Sequence, residues 1–166
     1  MDYTTHYDSP IGRITLASDG AALVGLWFEG QKYYANVLDQ QHNECDALPF
    51  FNDVRLWLDI YFVGKEPDFT PLLNMRGSSF RKRVWDILLT IPYGHTMTYG
   101  EISKKLNCRS AMAVGGAVGH NGISLIVPCH RVVGADGRLC GYAGGIDKKM
   151  YLLQIEKMSK NIEVLK

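Results

Sequence analysis

"TYGEISKKLNCRSAMAVGGAVGHN", residues 98–121, is the stretch on which the fold turns. Thr98 and Glu101 stand at capping-box spacing, which predicts a short helix from Tyr99 to Leu106. A turn at 107–109 follows, and Ser110 is placed to cap a second helix over "AMAVGGAVGHN". Two short helices joined by a tight turn fit a helix-turn-helix. The second helix has almost no side-chain bulk. Gly115, Gly116 and Gly119 each cost about 1 kcal/mol relative to alanine inside a helix. Such a face either packs tightly on the protein's own core or approaches another backbone closely, as a groove of DNA requires.

Upstream, Ser78 or Ser79 can cap a helix whose apolar face is Phe80, Val84, Ile87 or Leu88, and Ile91, ended by Pro92-Tyr93-Gly94. Residues 64–77, "GKEPDFTPLLNMRG", carry two prolines and two glycines and read as a linker. Before it, Ser9-Pro10-Ile11-Gly12 and Ser18-Asp19-Gly20 bracket a strand over 13–17, and a second strand runs from Leu23 to Phe28. Residues 31–46 show little periodicity. Phe50, Val54, Trp57 and Tyr61 then recur at helical spacing. The expected fold is α+β. A small antiparallel sheet with a packed helix forms a supporting domain over 1–77. A mostly helical, winged-helix or helix-turn-helix domain spans 78–166, its wing a hairpin turning at Ala135-Asp136-Gly137 between 131–133 and 139–142, with a last helix from about Asp147 through Glu156.

Charge follows the same division. Residues 1–77 hold five Lys/Arg against eleven Asp/Glu, a balance of −6; residues 78–166 hold thirteen against six, a balance of +7. A basic C-terminal domain suits a polyanion. No apolar run approaches the ~20 residues of a membrane helix, and the opening MDYTTHYDSP is too polar for a secretory signal. Cys45, Cys108, Cys129 and Cys140 form no CxxC, so reduced thiols and a cytoplasmic setting are expected. His42 and Cys45 share an HxxC spacing, but two potential ligands do not make a zinc site. Neither a metal nor a cofactor is expected.

In "SLIVPCHRVVGADG", residues 124–137, a greasy run stops at Pro128 and gives way to Cys129 and His130. The pair could be metal ligands, a nucleophile with its base, or two residues without chemistry. In a regular strand they would face opposite ways. Pro128 favours a break where a turn could bring both into one cavity. A neighbouring imidazole that takes the thiol proton would raise the reactive thiolate fraction.

Pro128-Cys129-His130-Arg131-Val132 resembles the active-site motif of the methylated-DNA–protein-cysteine methyltransferases. "IPYGHTMTYGEIS" and "AVGGAVGHN" are similar to that family's helix-turn-helix, and "GYAGGIDKKMYLLQIE" to its closing segment; together they cover 78–156. The opening "SPIGRITLASDGAALVGLWF" is similar to its N-terminal sheet, so a ribonuclease-H-like arrangement is expected there.

The resemblance implies that Cys129 attacks the alkyl carbon of a 6-O-alkylguanine and keeps the group as a thioether. It implies that His130 takes the thiol proton through a water and that Glu156 orients the imidazole. It further implies that Tyr99 gives a proton to the guanine ring, that Asn121 orders the site, and that the backbone at Val132 reads the base. Tyr142, Ala143 and Gly144 would line the pocket, Ala143 standing where some relatives have serine. Ala111, Met112, Gly115, Gly116 and Arg131 would meet duplex DNA, with the helix in the minor groove and the nucleotide flipped out. Met112 stands where many members place an arginine that fills the gap left by the flipped base. A monomer that acts once is expected. Two other readings are a helix-turn-helix protein that marks lesions without removing the alkyl group, and an unrelated cysteine hydrolase. Cys129 argues against the first, and the bulk-free helix in a basic domain against the second.

Overall fold

The sheet grows from two tight turns. In this computed structural model, which describes residues 1–165 and the side chains of 1–158, Ser9 to Gly12 closes an antiparallel hairpin between β1 (Asp2–Ser9) and β2 (Gly12–Ser18). Asp19 then turns the chain into β3 (Leu23–Phe28), its Oδ1 accepting from the amides of Ala21 and Ala22 at 2.9 Å. This is the expected hairpin. The strand order is β3-β2-β1-β4, where β4 (His42–Glu44) pairs parallel to β1 at the sheet edge. The sheet is therefore antiparallel except for one short strand, which lies in the stretch that showed little periodicity.

All six residues of β3 are buried. One face joins the main core through Leu23, Leu26 and Phe28. The other, Val24 and Trp27, is covered by Ala35, Val37 and Leu38 from the irregular segment after the sheet. Helix α1 (Phe50–Phe62) buries Phe51, Val54, Trp57, Leu58 and Tyr61. The proline-rich stretch 64–77 is bound to the sheet rather than free. The Leu23 amide donates to Leu72 O and the Asn74 amide to Leu23 O, both at 2.8 Å.

Beyond it lie α2 (Ser79–Leu88), β5 (Met97–Thr98), α3 (Tyr99–Leu106) and α4 (Ala111–Gly119). Each helix start is satisfied as the sequence requires. Ser78, Thr98 and Ser110 accept from the amides of Arg81, Glu101 and Ala113. Asn107 adopts the left-handed conformation (φ 51°) that turns α3 into α4. Trp85 of α2 donates its indole N–H to Ala117 O of α4 at 2.8 Å.

A 3-10 turn over Cys129–Arg131 leads into β6 (Val132–Val133), and α5 (Ile146–Leu165) closes the chain. The wing departs from expectation. The turn itself forms, with Gly134 N–H donating to Arg138 O at 2.8 Å. No strand follows at 139–142, and β6 pairs in parallel with β5 instead. Lys149 Nζ donates to the carbonyls of Cys140 and Gly141 at 3.0 and 3.1 Å, so a side chain takes carbonyls that a ladder would have used. One apolar cluster runs through both halves, from Leu26, Val54 and Tyr61 to Val84, Ile102, Val127 and Leu152.

Candidate active site

The segment entering the site is held by Asn121. Its Nδ2 donates to Val127 O at 2.7 Å and its Oδ1 accepts from the Ile123 amide at 3.0 Å, so one buried amide ties both ends of a tight loop. Within that loop Leu125 has φ 71°, a strained conformation for a branched residue, and is buried. The loop is pinned to the sheet by Leu26, whose amide donates to Gly122 O and whose carbonyl accepts from Ser124 N–H.

The strand expected before Pro128 does not form: residues 124–127 run through turns of the tight loop, and the 3-10 turn after the proline separates the pair. With three residues per turn, neighbouring side chains point in different directions. Cys129 lines a cavity of about 200 Å³ bordered by Tyr99, Gly115, Gly116, Gly119, Tyr142 and Ala143. His130 is not among the lining residues. It is fully buried, between Tyr61 and Glu156. The expectation that the turn brings both groups into one cavity is therefore corrected: Cys129 faces it and His130 stands behind.

Glu156 organises that interior. Its Oε2 accepts from His130 Nε2 and from the Tyr61 hydroxyl, both at 2.6 Å. Its Oε1 accepts from Arg131 Nε at 2.8 Å and from the Gly94 amide at 3.0 Å. Burial alone would raise the Glu156 carboxyl. The hydrogen bond and charge of His130, then Arg131, outweigh burial and hold it at about 2. Burial keeps the His130 imidazole below its ordinary value despite the carboxylate. A neutral imidazole beside an ionised carboxylate donates through Nε2–H, which leaves Nδ1 as the acceptor. His130 Nδ1 has no hydrogen-bond partner among the described residues. Burial raises the Cys129 thiol, while the Asn121 amide and the Lys149 charge pull it back. Burial likewise raises the Tyr99 phenol, which keeps it a proton donor.

The glycines of α4 serve no internal packing. A Cβ added at Gly115, Gly116 or Gly119 would meet nothing within 4 Å among the described residues. Of the two explanations for a bulk-free helix, packing on the core is thereby removed. Ala111 is exposed, and Met112 is 88% exposed on the same helix. Gly144 lies under the Tyr142 ring, 2.8 Å from where its Cβ would be. Val132 is buried and pairs with Met97. Arg131 departs from expectation. Its guanidinium binds Glu156 and donates to Ile91 O at 2.8 Å, and it lies 5.7 Å from the centre of the Tyr93 ring. It is buried, and its guanidinium is committed to the interior.

Four residues in or around the site escaped sequence reasoning. Tyr61 reads as one more aromatic on a helix face. Lys149 reads as one of two adjacent lysines at the start of the last helix, yet it is fully buried. Lys32 and Tyr33 reach the cavity from the N-terminal half. The Lys32 amide donates to Ala143 O at 3.1 Å, and the Tyr33 ring stacks on His120 at 3.7 Å between centroids. The one signal was the helical spacing of Phe50, Val54, Trp57 and Tyr61; nothing marked the others.

Comparison with known proteins gives a consistent result. The family description "6-O-methylguanine DNA methyltransferase, DNA binding domain" matches residues 79–158, and that family's "ribonuclease-like domain" matches 3–74. A methylated-DNA–protein-cysteine methyltransferase of Haemophilus influenzae is 42% identical over 94% of this chain and 87% of its own. One of Mycobacterium tuberculosis is 47% identical over 92% of each. A crystal structure of Mycobacterium tuberculosis OGT in complex with DNA superposes with a TM-score of 0.84, at 42% identity, covering 95% of this chain and 94% of that one.

Proposed function

The chain belongs to the 6-O-methylguanine DNA methyltransferase family, and on that premise we propose that Cys129 accepts the alkyl group directly from a 6-O-alkylguanine in duplex DNA. The observation that carries this reading is the placement of Cys129: buried, yet lining the cavity that the open glycines of α4 border. A base inside the stack cannot reach a thiol so placed, so the nucleotide turns out of the duplex into the cavity. The unfilled face of α4 allows the close approach that a narrow minor groove demands. Residues 78–166 carry the DNA and alkyl chemistry, with 1–77 supporting them.

The thiol sulfur attacks the alkyl carbon in line. A sulfur–carbon bond forms as the carbon–oxygen bond to guanine breaks, and the bonding pair leaves with the oxygen. The thiol proton passes through a water to His130 Nδ1, the imidazole nitrogen that Glu156 leaves free. Tyr99, in the same cavity, supplies a proton to the guanine ring as charge develops on it. The products are restored guanine and an S-alkylcysteine that nothing in the site can reverse, so each monomer acts once.

Incubation with duplex DNA bearing one methylated guanine, followed by peptide mass mapping, tests this. One methyl on the Cys129 peptide, at no more than one per chain, is expected, and Cys129→Ala should take none. Intact lesions with unmodified wild-type protein would defeat the reading, and repeated turnovers would indicate a hydrolase.

A further inference from the structure

We infer that Tyr61 is a positioning residue by which the N-terminal helix α1 sets the proton affinity of His130, and with it the proton acceptor for Cys129. The inference rests on the acceptor role proposed above. Tyr61 is fully buried, and its hydroxyl donates to Glu156 Oε2 at 2.6 Å, the same oxygen that receives His130 Nε2–H at 2.6 Å. Its own oxygen lies 3.4 Å from His130 Nε2, too far to rival the carboxylate. Two donors therefore share one carboxylate oxygen, and each draws on charge the other would use.

The consequence has a sign. With the phenol donating, Oε2 presents less negative charge to the imidazole, and the doubly protonated form of His130 is less favoured. Without it, the carboxylate holds an imidazolium more tightly. A protonated His130 cannot take the thiol proton. Tyr61 thus adds to burial in keeping the base neutral at working pH. Burial holds the phenol far above its ordinary value, so it remains a donor throughout. The other charged or titratable groups facing this cluster are Arg131 beside the imidazole, Lys149 of α5, Cys129, Tyr142, and Tyr93, whose ring stands edge-on to Tyr61 at 6.2 Å. None of them lies on α1. Helix α1 therefore reaches this cluster through one hydroxyl.

The test is Tyr61→Phe in the full chain, with two measurements. Single-turnover methyl transfer is followed across pH, and the His130 imidazole is titrated by NMR without DNA. The His130 midpoint should rise by about one unit, and the rate deficit should be larger at pH 6 than at pH 8. An unmoved midpoint, or a deficit equal at all pH, would overturn the inference and leave Tyr61 as packing alone. If the phenylalanine variant does not fold, 3-fluorotyrosine in place of Tyr61 gives a stronger donor, and the midpoint should fall; no fall would be equally fatal. The titration needs no substrate, so a wild-type protein that accepts no methyl overturns the acceptor reading while this coupling is judged separately.

Discussion

Glu156 receives four donors from three separate parts of the chain: Tyr61, Gly94, and the adjacent His130 and Arg131. A buried carboxylate so surrounded is stable only while it is ionised. Its folded value of about 2 lies below its ordinary 4.5. The stability it contributes is therefore fully present above the ordinary value and is lost as pH falls through 4.5 toward 2. Glu156→Gln should flatten the acid limb of the stability curve over that window. At neutral pH it should cost about 3–5 kcal/mol, because Arg131 keeps its charge without a partner. Urea midpoints measured from pH 2 to pH 7 check both statements; an acid limb as steep as that of the wild type would contradict the first. Cys129, His130 and Glu156 were legible because they fall within a recognisable motif and its closing segment. Tyr61 was not, because it lies 95 residues from Glu156 and its periodic spacing describes a core face equally well.

At the scale of elements, α4 sets stability against function. Its interior glycines have no neighbour that a methyl group would strike. Gly116→Ala should therefore stabilise the fold by about 1 kcal/mol through helix propensity. The same methyl on an open face should weaken binding to alkylated duplex by about 1–2 kcal/mol, roughly tenfold. Thermal melting and a binding titration read the two effects separately. A stabilised variant with unchanged affinity would show that α4 does not approach DNA closely. Met112 gives a companion test on the same helix. It is almost wholly exposed and uncharged, so Met112→Arg should raise affinity for alkylated duplex by supplying a charged hydrogen-bond donor to the orphaned base. Unchanged binding would count against a gap-filling role. Helices α2, α3 and α4 were readable because capping chemistry is local, written in Ser78, Thr98 and Ser110. The missing wing strand and β4 were not. The first is displaced by a nearby side chain, Lys149, whose bonds to carbonyls leave no pattern in the sequence, and the second depends on a distant strand, β1.

At the scale of the molecule, the opposed charge of the two halves invites a picture of two independent bodies, one acidic and one basic. The packing argues otherwise. Leu26 of the sheet exchanges backbone hydrogen bonds with Gly122 and Ser124, the loop that carries the chain toward Cys129. Lys32 binds the cavity rim at Ala143, and Tyr61 reaches Glu156. The apolar cluster that contains Leu26 also contains Val114, Val127, Cys129 and Leu152. Elements that share a core and lose each other's partners on separation unfold together. Leu26→Ala removes a fully buried side chain from the N-terminal sheet and should destabilise by about 2–5 kcal/mol. In independent domains the basic half would keep its own wild-type transition, reported by Trp85 of α2. Here one transition is expected to move as a whole. Tryptophan fluorescence and far-UV circular dichroism should give the same lowered urea midpoint, and methyl acceptance should fall with the folded fraction. A second transition left at the wild-type position would show that the acidic half is only attached, and that the hydrogen bonds it sends into the site do not couple the two.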